Sequence, residues 1–284
     1  MSLHSSVTGS VVTVNNANNV AIAGTIGSDT VNASTGNSQI GVTDTAANGG
    51  HNSINATNRN NKIAINDGAG YDTVNASGGN NAVTINDASG GDNTLTVSGG
   101  NTKIAITDGA GYNTINASGG NNAVTINDAG GGDNTLTATG GNNSINITDT
   151  VGKDSITIAG GNNKVTIGGP AGSDTITADT NDTFTYNHLL SHYDTLNNVF
   201  SGGTSSTDVF NLSAIAGVTK YQGIITGGTL NADSVGFLYN SAQHETSVFA
   251  NTTGAAESVT GASAISPMLE LAGPGNLTAA NFKV

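Results

Sequence analysis

Residues 78–97 read GGNNAVTINDASGGDNTLTV, and this stretch contains the pattern that decides the fold. A Gly-Gly-Asn-Asn turn leads into alternating apolar residues that end at Asp87, and a glycine-rich turn leads into a second alternating run. Both runs recur along the chain every 20 or 21 residues. The aligned apolar positions are Ile63, Val83, Ile104, Val124, Ile145 and Val165 in the first run, and Ile54, Val74, Leu95, Ile115, Leu136, Ile156 and Ile176 in the second.

The alternation predicts β-strands with one buried face, because successive side chains of a strand point to opposite sides. Two strands and two turns in about 20 residues form one coil of a solenoid, in which each strand pairs with its equivalent in the next coil. We therefore predict an all-β fold, a parallel β-solenoid of the β-roll or β-helix type, followed by a β-rich C-terminal region. The predicted divisions are a strand segment over 1–23, solenoid repeats over 24–178 and a C-terminal domain over 179–284. Asn81, Asn122 and Asn143 recur in one type of turn, which predicts a ladder of hydrogen-bonded amides.

The composition argues against several classes of function. The 284 residues include 41 Gly, and only 4% are aromatic and 10% charged, which argues against a conventional α/β enzyme with a thick core. A net charge of −13 without a basic cluster disfavours nucleic acid and anionic membranes as partners and favours cations. The chain has no cysteine, so neither disulfides nor thiolate ligands are available. We find neither a signal peptide nor a transmembrane segment at the N-terminus, and we expect no membrane insertion.

Carboxylates recur along one predicted edge of the coils. Some end successive strands, and others lie in the turns that follow. Carboxylates stacked about 5 Å apart repel one another, and an all-oxygen environment suits Ca²⁺ better than Zn²⁺ or copper. The alternative is that these side chains cap turns and stay solvated. The predicted calcium ligands are Asp67, Asp72, Asp87, Asp92, Asp108, Asp128, Asp133, Asp149, Asp154 and Asp174.

The glycine-rich turns resemble the nonapeptide Gly-Gly-x-Gly-x-Asp-x-aliphatic-x of RTX β-roll proteins. The stretch 67–75, DGAGYDTVN, and the stretch 169–177, GPAGSDTIT, match it most closely. The resemblance implies that the motif Asp and turn carbonyls bind Ca²⁺ between coils, and that calcium drives folding after export. Asp154 and Asp174 are consecutive on the edge, so calcium is expected there first. The motif position holds Asp at Asp29, Asp72, Asp154 and Asp174, and Asn at Asn93, Asn113 and Asn134.

The C-terminal third resembles the export region of the same family. Residues 208–215, DVFNLSAI, are similar to an Asp-x-Ile-Asp-Leu-Ser segment that follows β-rolls, and residues 277–284, LTAANFKV, are similar to the extreme C-terminus of type I secretion substrates. This resemblance implies a secretion signal within 179–284, the type I secretion machinery as a partner, and a secreted, extracellular or cell-surface location.

We predict that the chain is not an enzyme. His188 and His192 are spaced for one face of a short helix ending near Phe200, but no third metal ligand accompanies them. Asp182, Asp194 and Asp208 have no spacing that requires glycosidase chemistry, and no nucleophile elbow is present.

Two non-enzymatic hypotheses remain. Outward Thr residues such as Thr94 and Thr114 form a column that suits an ice-binding or adhesive solenoid, or they are simply good strand residues. The hypothesis we favour is structural: the strand segment within 1–23 pairs head to tail with another copy. Calcium-promoted self-assembly then gives a filament, a surface layer or a biofilm matrix.

Overall fold

The computed structural model is all-β and confirms the predicted parallel β-solenoid, with coils of about 20 residues stacked on one another. It describes residues 2–4, 11–14, 19–24, 27–34, 36–44, 49–57, 59–149, 151–169, 172–190, 192–200, 206–261 and 264–284. The chain divides into two compact units, Met1–Asp149 and Thr150–Val284. The predicted divisions at residues 23 and 178 stay predictions.

The first unit winds between two parallel sheets, and each coil contributes one strand to each. The odd strands form one sheet in the order β1 (Ser2–His4), β3 (Asn19–Gly24), β5 (Ser38–Asp44), β7 (Asn61–Asp67), β9 (Asn81–Asp87), β11 (Thr102–Asp108), β13 (Asn122–Asp128) and β15 (Ser144–Asp149). The even strands form the other sheet in the order β2 (Val11–Val14), β4 (Thr30–Ala33), β6 (Ser53–Thr57), β8 (Thr73–Ser77), β10 (Thr94–Gly99), β12 (Thr114–Gly119) and β14 (Thr135–Thr139).

Equivalent residues of successive coils pair without any shift in register. Ile63 lies beside Val83, which lies beside Ile104, and all three side chains are buried. On the facing sheet, small residues such as Ala76 and Ala117 are buried and let the two sheets approach closely. Burying each Ile or Val contributes about 1.5–3 kcal/mol, so the thin core gains its stability from repetition.

The second unit contains further strands of two parallel sheets and an antiparallel region. One sheet has the order β17 (Lys164–Gly168), β19 (Thr183–Tyr186), β21 (Val209–Asn211) and β28 (Phe282–Lys283). The other has the order β16 (Ser155–Ala159), β18 (Thr175–Thr177), β20 (Asp194–Asn197), β27 (Leu269–Ala272), β25 (Glu245–Asn251), β24 (Ser234–Asn240) and β22 (Lys220–Ile224). A small antiparallel pair, β23 (Thr229–Leu230) with β26 (Glu257–Ser258), and a 3₁₀ helix, Ala279–Asn281, complete the unit.

The short helix expected before Phe200 is wrong. Residues Asp194–Asn197 form β20, in which the buried Leu196 pairs with Ile176 and continues the apolar column of the coils. This segment is a strand because its apolar residue, Leu196, lies in register with Ile176 of the preceding coil.

Candidate metal centre

Two columns of polar side chains point into the solenoid at one corner of the first unit. The first column consists of the carboxylates that end the odd strands, and the second consists of the Asp or Asn that precedes each even strand. All of these described side chains are buried. The strand-end column contains Asp44, Asp67, Asp87, Asp108 and Asp128, and the turn column contains Asp29, Asn52, Asp72, Asn93, Asn113 and Asn134.

The turn column uses one side-chain oxygen in the same way in each coil. The backbone N–H of Asn52 donates to Asp72 Oδ1 at 2.9 Å, and that of Asp72 donates to Asn93 Oδ1 at 3.1 Å. The N–H of Asn113 donates to Asn134 Oδ1 at 3.1 Å. Since both Asp and Asn offer this Oδ1 acceptor, either residue satisfies the buried backbone donor of the preceding coil.

The second side-chain atom distinguishes the two residue types. In Asn93 it is Nδ2, which donates to Asp87 Oδ2 at 2.8 Å, to the Gly91 carbonyl at 3.2 Å and to Asn113 Oδ1 at 3.0 Å. Asn113 donates in the same way to Asp108 Oδ2 at 2.8 Å, and Asn134 to Asp128 Oδ2 at 2.8 Å. In these coils an amide nitrogen therefore lies among oxygens and stabilises the buried carboxylate, as charge-assisted hydrogen bonds do.

Asp72 breaks this arrangement, because it places an oxygen where the neighbouring coils, at Asn52 and Asn93, place an amide nitrogen. One carboxylate oxygen from each of Asp67, Asp72 and Asp87 lies within 4.8 Å of the others. The side chains are 7%, 1% and 0% exposed. Asp67 Oδ1, Asp72 Oδ2 and Asp87 Oδ1 are buried without a hydrogen-bond partner. Within the described residues, this is the one group of three acids or histidines close enough to share a metal ion.

Burial and mutual repulsion raise the pKa values of two of these acids. Burial raises the pKa of Asp67 to about 9, with further contributions from its side-chain hydrogen bond with Asp87 and from the charge of Asp72. Burial also raises the pKa of Asp72 to about 7, partly opposed by the N–H of Asn52. At neutral pH the corner therefore retains protons unless a cation replaces them.

The three acids offer oxygen ligands, although Asp87 Oδ2 accepts a hydrogen bond from Asn93 Nδ2 at 2.8 Å and Asp67 Oδ2 accepts one from Asn52 Nδ2 at 3.5 Å. The strand-end carboxylate also lies close to the backbone, since a Cβ added at Gly70 would collide with Asp67 Oδ2 and with the Gly50 carbonyl. Carboxylates and carbonyls are hard ligands that suit Ca²⁺ and do not favour soft metals. The residues present therefore fit Ca²⁺, which Asp67, Asp72 and Asp87 would hold.

The remaining predicted ligands lie in different surroundings. Asp108 and Asp128 are each hydrogen-bonded to an asparagine amide. Asp92 and Asp133 come one residue before the turn column and are exposed, and Asp92 Oδ1 accepts the backbone N–H of Tyr112 at 2.9 Å. Asp149 ends β15, and its side chain lies outside the described residues.

In the second unit, Asp154 and Asp174 belong to a turn column of the same kind. The N–H of Asp154 donates to Asp174 Oδ1 at 2.9 Å, and that of Asp174 donates to Asp194 Oδ1 at 3.0 Å. Calcium was expected first at this pair, whereas the described group of three carboxylates lies at Asp67, Asp72 and Asp87. Asp194 was weighed from the sequence only for glycosidase chemistry and was not predicted to join this column; burial and the charge of Asp174 raise its pKa to about 8.

The opposite corner contains the predicted amide ladder in two stretches, which Thr102 separates because it lies between Asn81 and Asn122. Asn61 Nδ2 donates to Asn81 Oδ1 at 2.9 Å, and Asn122 Nδ2 donates to Asn143 Oδ1 at 2.8 Å. In the second unit, Asp182 and Asp208 occupy a column of this kind, and burial raises the pKa of each to about 6. His188 and His192, the other pair considered from the sequence, are both exposed.

No protein-family model matches the chain, and no curated protein matches it. Among the described residues, no helix has the length and apolar character needed to cross a bilayer.

Proposed function

We propose that the protein is a secreted structural protein that calcium stabilises and that assembles with copies of itself into an extracellular filament, surface layer or biofilm matrix. The group formed by Asp67, Asp72 and Asp87 carries this proposal. Three buried acids within 4.8 Å destabilise the folded coil at neutral pH unless protons or a cation neutralise them. Extracellular calcium modules bind with dissociation constants of about 0.1–1 mM, which would couple folding of the coil to arrival outside the cell.

The outer surface of the solenoid supports self-assembly. Its faces carry exposed, mostly polar side chains that stand in register from coil to coil, so identical copies can pack side by side. In the described residues β2 pairs with β4 on one side, and its Val11 is 76% exposed. A strand of another copy added beside β2 would extend the sheet head to tail. Export by type I secretion machinery is part of the proposal and is supported by the resemblance of the C-terminal segments.

Electron microscopy of the purified protein, together with sedimentation velocity, tests this function. Protein refolded with millimolar Ca²⁺ should form ordered filaments or sheets, and protein kept in a chelator should not. A monodisperse monomer at all calcium concentrations would contradict the proposal. Unchanged circular dichroism on calcium addition would separately contradict the role of the metal.

A second candidate function is an ice-binding or adhesive surface. Thr73, Thr94, Thr114 and Thr135 lie side by side in consecutive even strands, and all four are exposed. This register forms a column of hydroxyl and methyl groups with a spacing of about 4.8 Å. Thermal hysteresis of a monomer, abolished by replacing Thr94 and Thr114 with tyrosine, would favour this function over assembly.

A further inference from the structure

The surface of the first unit repeats every second coil, whereas its core repeats every coil. Residues 62–102 and 103–143 are identical at 34 of 41 positions. The longer period concerns exposed side chains as well as buried ones. Two such sets, a row of lysines and a strip of acids, therefore recur with the same spacing along the solenoid.

The lysine row lies on the outer face of the odd-strand sheet. Lys62 pairs with Ala82, which pairs with Lys103, which pairs with Ala123. Both lysines are exposed. They are two coils apart, a distance of about 10 Å along the axis. A shallow groove of about 530 Å³ borders Lys62 between Asn60 and Asn80.

The acidic strip follows the turns before the even strands. Tyr71, Asp92, Tyr112 and Asp133 occupy equivalent places in four consecutive coils, and all are exposed. The 2.9 Å hydrogen bond from the Tyr112 N–H to Asp92 Oδ1 holds this carboxylate in place. The two carboxylates are also two coils apart, about 10 Å along the axis.

We propose that two parallel copies of the chain pack side by side with an offset of one coil, so that the lysine row of one copy meets the acidic strip of the other. The two surfaces match in spacing and are opposite in charge. Lys62 belongs to the coil of β7 and β8, whereas Asp92 belongs to the next coil, formed by β9 and β10. An offset of one coil in this direction places Lys62 against Asp92 and, at the same time, Lys103 against Asp133.

Other offsets bring fewer lysines opposite carboxylates. With no offset, each lysine meets a tyrosine and each carboxylate meets an alanine. With an offset of one coil in the opposite direction, Lys103 meets Asp92, but Lys62 meets His51. The favoured offset is therefore the one that pairs both lysines with both acids. Because the two surfaces lie on different parts of one molecule, the contact is heterologous and continues from copy to copy.

This lateral contact deepens the proposed self-assembly and rests on it for its biological role, but dimerisation in solution tests the contact itself. Exposed ion pairs are individually weak and are screened by salt. We therefore expect a weak dimer at low ionic strength that dissociates when salt is raised, and lateral bundling of filaments where filaments form.

Charge reversal tests the pairing. The double variants K62E/K103E and D92K/D133K should each weaken dimerisation at least about tenfold in sedimentation equilibrium at low salt. The quadruple variant carrying all four changes should restore it, because each pair is then reversed. K220E/K283E is the control for K62E/K103E, since it lowers the net charge by the same amount at two exposed lysines of the second unit. Equal weakening by this control, or no rescue in the quadruple variant, would overturn the contact.

Engineered cysteines test the offset, because the chain has no cysteine of its own. A mixture of A82C and Y112C proteins should form disulfide-linked dimers, since a one-coil offset brings these positions together. A mixture of A82C and D92C proteins should not, because that pair requires zero offset. The reverse result would overturn the proposed register.

The outcomes separate this contact from the proposed function. Cross-linked dimers without calcium-dependent filaments would support the contact and contradict the filament. Filaments that show neither bundling nor cross-links would support the filament and contradict the lateral contact. A third outcome would overturn the proposed partner: a protein that is monomeric at low salt and binds a polysaccharide through the acidic strip, with this binding lost in Y71A/Y112A.

Discussion

Replacing Asp72 with asparagine is expected to remove the calcium requirement of the first unit. The repeat itself contains the precedent, because Asn113 stands at the equivalent position one 41-residue period later and donates to Asp108 Oδ2 at 2.8 Å. In D72N the new amide should donate to Asp67 in the same way. The substitution thus turns a corner of three carboxylates into one that is neutralised by the protein's own amide.

The size of the effect follows from the contacts. A hydrogen bond to a charged group contributes about 1.5–3 kcal/mol, and the change also removes a buried carboxylate whose charge repels the neighbouring acids. We expect D72N to be more stable than the wild type by about 2–4 kcal/mol in chelator at about pH 8. This corresponds to a rise in melting temperature of roughly 5–15 °C. Calcium at about 100 times its dissociation constant stabilises the wild type by about 2.7 kcal/mol, and D72N should lose this gain.

Thermal melts followed by circular dichroism, with chelator and with calcium, measure both effects. N113D is the matched reverse variant, because it places a third acid between Asp108 and Asp128. It should lower the stability in chelator and increase the number of calcium ions bound in a titration. D92N, at an exposed acid, should change neither. A D72N protein that melts below the wild type in chelator would contradict the role given to Asp72, and so would calcium that raises both melting temperatures equally.

Three further predictions concern pH, the glycine column and the amide ladder. Burial raises the pKa of Asp67 to about 9 and that of Asp72 to about 7, so without metal the folded state is most stable below about pH 4, where both acids are protonated in the folded and the unfolded chain. This stability is lost as the pH rises to about 9 and the folded protein must release the protons. The melting-temperature difference between D72N and the wild type should therefore widen over this range, and a constant difference would contradict the prediction. Gly91→Ala should lower the free energy of unfolding by about 1–3 kcal/mol in chemical denaturation, because the new Cβ would collide with the Gly70 carbonyl. An unchanged denaturation midpoint would show that the turn has room for a side chain at this position. Asn122→Ala should cost about 1–3 kcal/mol by removing the 2.8 Å bond to Asn143, whereas replacing the exposed Asn121 side chain with alanine should cost less, and equal losses would argue against the buried ladder.

The fold could be predicted because period and burial agree in each coil. The alternation around Val83 and Ile85 has only one solution in which the apolar residues share a face, and the spacing of 20 or 21 residues sets the length of the coil. The short segment before Phe200 could not be predicted, because three or four residues do not distinguish a strand from a helical turn. Its pairing with β18 decides the matter.

The candidate site was predictable in its residue types but only partly in its geometry. The strand-end acids and Asp72 were visible as a pattern, yet a glycine-rich turn does not reveal which of two adjacent residues points inward. Asp92 lies next to Asn93 in the chain, and the structure turns the first outward and the second into the corner. A signal was present: an Asn follows three of the strand-end acids by five or six residues, at Asp87, Asp108 and Asp128, and an inward amide beside each acid accounts for that spacing.

Because Asp67, Asp72 and Asp87 lie in the middle of the described coils, calcium bound there would affect the stability of coils on both sides of the site. In a repeat structure each coil contacts only its neighbours, so stability passes along the stack through the interfaces between coils. The interface formed by Asp67, Asp72 and Asp87 joins the coils of β7 to β10, and repulsion there weakens the coupling between the strands before β7 and those after β10. In chelator at about pH 8, hydrogen exchange should show β5 and β7 opening independently of β11 and β13, whereas in D72N the four strands should open together. Uniform protection of all four strands in the metal-free wild type would show that the three acids do not divide the stack.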